Sequence, residues 1–377
     1  MVAERDLPRV SASRVSVFRL RRHHLASRSP RARLAAVASG AGGIQAQVPA
    51  AARLALWCRV GGLQLADVER ALWRDKTLVK TWLMRGALHL VAAEDLPVFL
   101  TGLRSDALQR EIRIFRRYGL SEEDYHGITE AVDGALASGP LTRKELADAV
   151  VPLLGPKARP WLEHGWGGVL RFACMSGRIC FGPNRGRQVT FVRLREWLPR
   201  FRSIAEEEAK AALARRYLRA FGPATPQDGA AWSGVSVTET RRVWTALAGE
   251  VQEVSLEGRP AFLLAEDLDT LEKGRSRGPV VRLLPHFDGY LLGHKDKGHL
   301  VDAAHYKRVY RKAGWISPAV LRDGRVVGVW ALKGTGTRLT VKVEPFEPLD
   351  GAVRQAVGEE GEALGDFLGG EAEVVFA

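Results

Sequence analysis

The sequence predicts an α+β fold: three tandem winged-helix motifs followed by a small C-terminal β-barrel-like domain. Three observations carry this. A run of helices giving way to alternating strands recurs three times along the chain. The second and third recurrences close on two strands joined by hairpin turn residues. Beyond residue 275 helical periodicity yields to short strands. With 377 residues, 46% of them hydrophobic, the chain exceeds what one core serves. The pattern divides it at 1–120, 121–200, 201–275 and 276–377.

In the first motif apolar spacing predicts helices over residues 51–60, from Asp67 (Val68, Leu72, Trp73) and from Asp75 (Leu78, Val79, Trp82, Leu83). The last of these ends at Gly86, before a strand over 87–91. The second motif reads as a helix over 128–136, then a helix capped by Thr142 with Glu145 three positions on, where hydroxyl and carboxylate satisfy reciprocal backbone N–H groups. An apolar helix over 166–175 follows, and then strands over 178–181 and 188–194 joined by Gly182-Pro183-Asn184-Arg185-Gly186-Arg187. The third motif comprises a helix over 205–221, a short helix after Thr225-Pro226, and a helix from Thr238 capped by its own hydroxyl. Strands over 251–256 and 260–264 turn at Glu257-Gly258. In each motif the third helix suits a major groove and the wing suits the phosphate backbone. The last segment reads as strands over 280–284, 289–292, 319–321, 325–332 and 339–343, with Asp323-Gly324 as a two-residue turn, closed by a helix over 353–367 and a strand over 372–376.

The formal charge of +13, from 44 Arg and 12 Lys against 43 acidic residues, points to a polyanionic partner. Arginine grips phosphate bidentately. A GC-rich genome also favours arginine over lysine, but it does not account for the net charge. Nine arginines (Arg5, Arg9, Arg14, Arg19, Arg21, Arg22, Arg28, Arg31, Arg33) precede residue 40 against Glu4 and Asp6, and Val15, Val17, Phe18, Leu20 and Leu25 punctuate them at helix-like spacing. An ordered basic helix is expected.

Met1-Val2-Ala3-Glu4-Arg5-Asp6 is charged where a secretory signal is apolar, and no run approaches eighteen uncharged apolar residues. A cytoplasmic, nucleoid-associated protein without membrane contact is expected, and, with no dimerising helix legible, a monomer. Cys58, Cys174 and Cys180 form no Cys-x-x-Cys pair, so neither a disulfide framework nor a metal is expected. The phosphate-loop, dinucleotide, metalloprotease and nucleophile-elbow motifs are missing, so no cofactor is expected. Gly334-Thr335-Gly336-Thr337 reads as a hairpin turn.

No carboxylate pair or activated nucleophile stands out. Gly42-Gly43-Ile44-Gln45-Ala46-Gln47-Val48-Pro49 does, because amides at i and i+2 of an extended backbone share one face with Ala46 turned away. The flanking glycines and proline mark an irregular approach where backbone can come close to a ligand. Taken with Trp82-Leu83-Met84-Arg85-Gly86-Ala87-Leu88-His89-Leu90, Leu283-Leu284-Pro285-His286-Phe287-Asp288 and Leu291-Leu292-Gly293-His294-Lys295-Asp296-Lys297, this segment resembles the bacterial AlkZ/YcaQ family of DNA glycosylases over about residues 14–345. The blocks are specific as a set and weak singly.

The resemblance implies that Gln45 and Gln47 are catalytic and that double-stranded DNA is the partner. It implies a monofunctional DNA glycosylase that hydrolyses the N-glycosidic bond of N7-alkylated purines. The Gln-x-Gln form is similar to the antibiotic self-resistance branch, which unhooks interstrand crosslinks made by a DNA-alkylating natural product. Ala46 is smaller than the family's middle residue, and Lys297 stands where an Arg is common, which leaves the lesion preference open.

Charge and position nominate DNA contacts: Arg19, Arg21, Arg22, His23 and His24 before the glutamines, Arg85 and His89 in the second block, and Arg185 and Arg187 at a wing tip. His294, Lys295, Lys297 and His299 fall at or near a hairpin that resembles the family's groove-probing element. A solvated basic face gives the same pattern, and a lone histidine is more often structural. The alternative is a non-catalytic winged-helix transcriptional regulator, which has no need of the glutamine pair.

Overall fold

A computed structural model describes residues 7–165, 167–275, 278–335 and 337–377. The chain folds as two compact units that interleave in sequence. One is drawn from the residues up to Val68 with Ala214–Trp232 and Val237–Ala377, the other from Glu69–Leu213 and Ser233–Ser236.

In the second unit the helices Leu96–Arg117, Glu122–Ala135, Arg143–Leu154 and Gly168–Met175 enclose an aromatic core of Phe115, Tyr125, Phe172 and Phe191. Burying each such side chain stabilises the fold by roughly 1.5–3 kcal/mol. The Thr142–Glu145 capping box forms as expected, and Ser121 makes a second one with Asp124. Trp166, where the fourth helix was expected to begin, lies outside the described residues. The hairpin Ile179–Arg185 with Gln188–Arg193 turns at left-handed Gly186 (φ 61°), and Leu141–Thr142 adds a short third strand beside Phe191 and Thr190.

One expectation fails in this unit. The stretch from Asp75 is not a third helix: Leu78–Trp82 is a strand, antiparallel to Leu88–Ala92 in register Leu78↔Ala92 to Trp82↔Leu88. Leu78, Val79, Thr81 and Trp82 are all buried, so the strand carries apolar residues on both faces. A doubly buried strand loses the alternation that would identify it and mimics helical spacing.

In the first unit the helix Ala12–Arg22, capped by Ser11, buries Val15 and Phe18 against Val254, Ala261, Leu263 and Leu271. The hairpin Val251–Leu256 with Arg259–Leu264 turns at left-handed Glu257 (φ 50°) and Gly258 (φ 80°), as the sequence predicts. The strand Arg9–Val10 runs parallel to its first strand, Arg9 beside Ser255. The helix preceding this hairpin spans Val237–Ala246, so Thr238 lies inside it rather than at its cap.

The C-terminal strands form one open sheet in the order Val281–Leu284, Ala319–Arg322, Arg325–Thr335, Arg338–Pro345, Glu371–Phe376, with the last pair parallel. It is a curled half-barrel, in keeping with the barrel-like domain expected. The helix Gly351–Leu368 packs on both edge strands instead of letting them pair. It approaches so closely that a Cβ at Gly361 would fall 2.2 Å from Val374 Cγ2. Asp323 (φ 49°) and Gly324 (φ 88°) form the expected two-residue turn. Gly336, in the other predicted turn, lies outside the described residues. Residues 289–292 are not a strand but the one-turn helix Gly289–Leu292, because the Asp288 carboxylate accepts from Tyr290 N–H (3.0 Å) and starts a turn there. Four apolar residues are too few for periodicity to decide. Among the described residues no helix is long and apolar enough to cross a membrane.

Candidate functional site

The glutamine segment is built from the turn that precedes it. The helix Leu34–Gly40 ends where Gly42 N–H donates to Ser39 O (3.0 Å) and Gly43 N–H to Ala38 O (2.9 Å). Both glycines are left-handed, at φ 71° and 90°. A side chain at Gly42 would press on Phe221 Cε2 (3.2 Å) and Trp232 Cζ2 (3.4 Å), so the turn needs glycine for conformation and for space. The chain then extends through Ile44–Gln45, and Pro49 opens the helix Pro49–Trp57. Ile44 and Ala46 are 2% and 1% exposed, while Gln45 and Gln47 are half-buried. Ala46 is turned into the core, and the two amides on either side of it keep partial exposure; the strand ends at Gln45, and Gln47 lies in the bend that follows.

A buried ion pair frames this turn. Arg59 donates to both carboxylate oxygens of Asp288 at 2.7 Å, and both side chains are fully buried. Burial opposes the Arg59 charge, but Asp288 and Cys58 together outweigh it, so the guanidinium stays charged. Asp288 also starts the helix at Gly289, where a Cβ would lie 3.7 Å from Gly43 O and 3.8 Å from Ala41 O. The glutamine block and the block ending at Asp288 thus meet backbone to backbone. Spacing alone does not reveal Arg59 or Asp288 as partners; they stand 229 residues apart.

The nominated DNA contacts divide sharply. Arg19 is 5% exposed, with Nε donating to Phe221 O (3.0 Å) and Nη2 to Pro223 O (2.6 Å); it braces its own chain and is not a phosphate clamp. His23 is fully buried, edge-on to Phe221 (4.7 Å) and Tyr290 (5.3 Å), and burial holds it neutral, well below the usual histidine range. His24 packs on the end of the helix Leu34–Gly40 and bonds Ser29 Oγ at 2.9 Å. Arg22 pairs with Asp267, and exposed Arg21 donates to Arg275 O (2.6 Å).

His89 is 2% exposed, donates to Ala87 O (2.9 Å) and is pushed down to about 3, first by burial and then by Arg85. It is a structural histidine, and the expected DNA contact is corrected. Arg85 itself is half-buried at left-handed φ 56°, with burial lowering it to about 10. At the wing tip Arg187 is exposed, and Arg185 is tied to Glu145 (2.5 Å) and Pro140 O (2.6 Å).

Residues 294–299 form a loop, not a hairpin. His294 is 5% exposed and donates through Nε2 to Phe221 O (2.9 Å), and burial holds it well below its ordinary range. It too is structural and no DNA contact. His299 packs edge-on to it at 4.6 Å and is pushed down to about 2, by burial first and then by Arg19. Lys297 bonds His294 O, while Lys295 is exposed. This loop, the helix Ala12–Arg22 and the hairpin Val251–Leu264 line an open cleft of about 1420 Å³ of mixed charge, where Arg21, Arg259, Arg275 and Arg325 stand among Asp228, Glu257, Asp296 and Asp323. The three cysteines are buried, and burial pushes Cys58 and Cys174 up to about 12, which leaves them inert at neutral pH. Among the described residues no three His, Cys, Asp or Glu side chains cluster to hold a metal ion.

Residues 38–367 match the family of AlkZ-like DNA glycosylases. The chain belongs to that family. It is 35% identical over 306 residues to an interstrand DNA cross-link repair glycosylase of Streptomyces sahachiroi, across 77% of this chain and 80% of the relative. It also matches the solved structure of the S. sahachiroi DNA glycosylase AlkZ with a TM-score of 0.86 at 31% identity, covering 97% of this chain and 100% of that one. As an AlkZ-like glycosylase the chain is an N-glycosyl hydrolase acting on DNA, and the regulator alternative is not favoured.

Proposed function

We propose that this AlkZ-like glycosylase excises N7-alkylated purines and unhooks interstrand crosslinks, with Gln45 and Gln47 as its catalytic amides and self-resistance to a DNA-alkylating natural product as its role. The observation that carries this is that Gln45 and Gln47 keep partial exposure on either side of buried Ala46, in a segment held by the Gly42–Gly43 turn. The crosslink-repair name of the S. sahachiroi relative supports the substrate class. Alkylation at N7 makes a purine cationic and a good leaving group, so hydrolysis needs a positioned water and a dipolar surrounding for an oxocarbenium-like transition state more than it needs an acid. One glutamine carbonyl accepts a hydrogen bond from the water, and an amide NH₂ donates to a neighbouring sugar or phosphate oxygen.

We read the three helix-and-hairpin segments as winged helices on a monomer, with exposed Arg21, Arg187 and Lys295 on the DNA backbone. The Ala224↔Phe262 bridge in the third segment and the Leu141–Thr142 strand in the second support this, since each adds a short strand beside a wing.

The test incubates purified protein with duplexes carrying N7-methylguanine, an interstrand crosslink or uracil, and scores alkali-labile abasic sites. Release is expected from the first two and not from uracil, which leaves poorly without protonation. Gln45→Ala and Gln47→Ala should each lose about 10- to 1000-fold in rate with little change in DNA affinity. Full activity in both variants would move the site elsewhere.

A further inference from the structure

Between Asp302 and Asp323 the chain carries no acidic residue. Within that stretch Lys307, Arg308, Arg311 and Lys312 fall close together, interleaved with Tyr306, Tyr310 and Trp315. Cations flanked by flat rings suit nucleic acid whose bases have lost a stacking neighbour, because the cations follow phosphates while a ring covers an open base face.

The segment has a defined shape. A one-turn helix, Tyr306–Val309, leads into a tight loop closed by Arg311 N–H donating to Trp315 O (2.8 Å) and by a bridge between Tyr310 and Ile316. Ala313 (φ 56°) and Gly314 (φ 73°) are both left-handed. Nothing lies within 4 Å of where a Cβ on Gly314 would stand, so the tip is clear of the rest of the chain. Lys307, Arg311 and Lys312 are exposed and, among the described residues, pair with no carboxylate, whereas Arg308 sits 3.8 Å from Glu344.

Trp315 is 42% exposed, yet its ring is fixed edge-on against His286 (5.1 Å) and Phe287 (4.9 Å). His286 is itself anchored by donating to Ile316 O (2.8 Å). An exposed indole held this firmly is a preorganised flat surface rather than core filling. Phe287 stands two residues before Gly289, whose backbone approaches the carbonyls of Ala41 and Gly43 in the turn that leads to Gln45.

We propose that Trp315 stacks on a nucleobase of the substrate duplex that has lost its neighbour, while Lys307, Arg311 and Lys312 hold the flanking phosphates. The inference rests on reading the chain as an enzyme that removes a base from DNA, since that reaction leaves a gap in the stack and an adjoining base with a free face.

The test titrates the full chain with a duplex carrying 2-aminopurine beside a tetrahydrofuran abasic analogue, and with the same duplex unbroken. Binding to the gapped duplex should change 2-aminopurine emission. Trp315→Ala should abolish that change and weaken binding about 5- to 100-fold, the range for one stacked base, whereas Trp315→Phe should retain most of both and separates lost stacking from lost packing. Arg311→Ala/Lys312→Ala should keep the emission change and reduce the slope of log affinity against log salt by roughly 2. Wild-type affinity and emission in Trp315→Ala would overturn the stacking role, and an unchanged salt slope would overturn the phosphate role. A wild-type chain that binds neither duplex would overturn the DNA reading itself, and this inference with it.

Discussion

The helix Ala12–Arg22 and the segment 306–315 are both crowded with cations, and the chain uses them in opposite ways. Arg19 spends its donors on the carbonyls of Phe221, Gly222 and Pro223, and Arg22 meets Asp267. Just beyond the helix, Arg28 meets Glu360 and Arg31 meets Asp67. In the segment 306–315, Lys307, Arg311 and Lys312 face solvent. A net charge counts both groups alike. What separates them is whether the fold supplies an acceptor, and a carbonyl buried without its donor costs more than a solvated cation left alone.

The deepest charge should give the largest effect. Asp288→Ala strands the fully buried Arg59 guanidinium and is expected to destabilise the fold by about 3–5 kcal/mol, read as the shift of a denaturant midpoint. A midpoint within error of wild type would mean that water reaches Arg59, and the contrast between interior and surface cations would collapse. Next, Arg19→Met should cost about 2–3 kcal/mol by leaving buried carbonyls without a charged donor, while the salt dependence of DNA binding stays as it was. A fall of about one in that slope would place Arg19 on a phosphate after all.

The smallest effect is the pH dependence that any one buried histidine contributes. His23 and His294 are held well below the ordinary range, His89 at about 3 and His299 at about 2, all by burial first. The unfolded chain, with histidines near 6.5, therefore takes up protons that the folded chain refuses. Stability is complete above about pH 6.5 and falls as pH drops below it, by up to ~1.4 kcal/mol per pH unit for each such histidine. Melting curves at pH 7.5, 6.5 and 5.5 read this directly, and His294→Asn should flatten the trend. A fold that gains stability on acidification would show these histidines charged and in reach of an anion.

The pattern of success along the chain has a physical reason. The Thr142–Glu145 cap and the Glu257–Gly258 and Asp323–Gly324 turns each depend on residues a few positions apart, and each is legible. The strand Leu78–Trp82 was not, because burial on both faces erased its alternation. Arg19, His23 and His294 were misassigned because their fate is decided by Phe221, some two hundred residues from the first two and more than seventy from the third. The basic-aromatic segment carries its signal, twenty positions without an acid, in plain composition.

The interleaving of the two units also sets an order of events during synthesis. Val15 and Phe18 find their partners only when Val254 to Leu271 have emerged, and the half-barrel lacks its last strand until Phe376 is made. At about 5–20 residues per second, the first residues wait roughly 20–75 s for the last. The unit centred on Glu69–Leu213 is complete long before then. A nascent chain therefore trails an unfolded, strongly basic arm from the ribosome, where RNA offers abundant phosphate, and a truncation ahead of Val254 would leave that arm without its permanent fold.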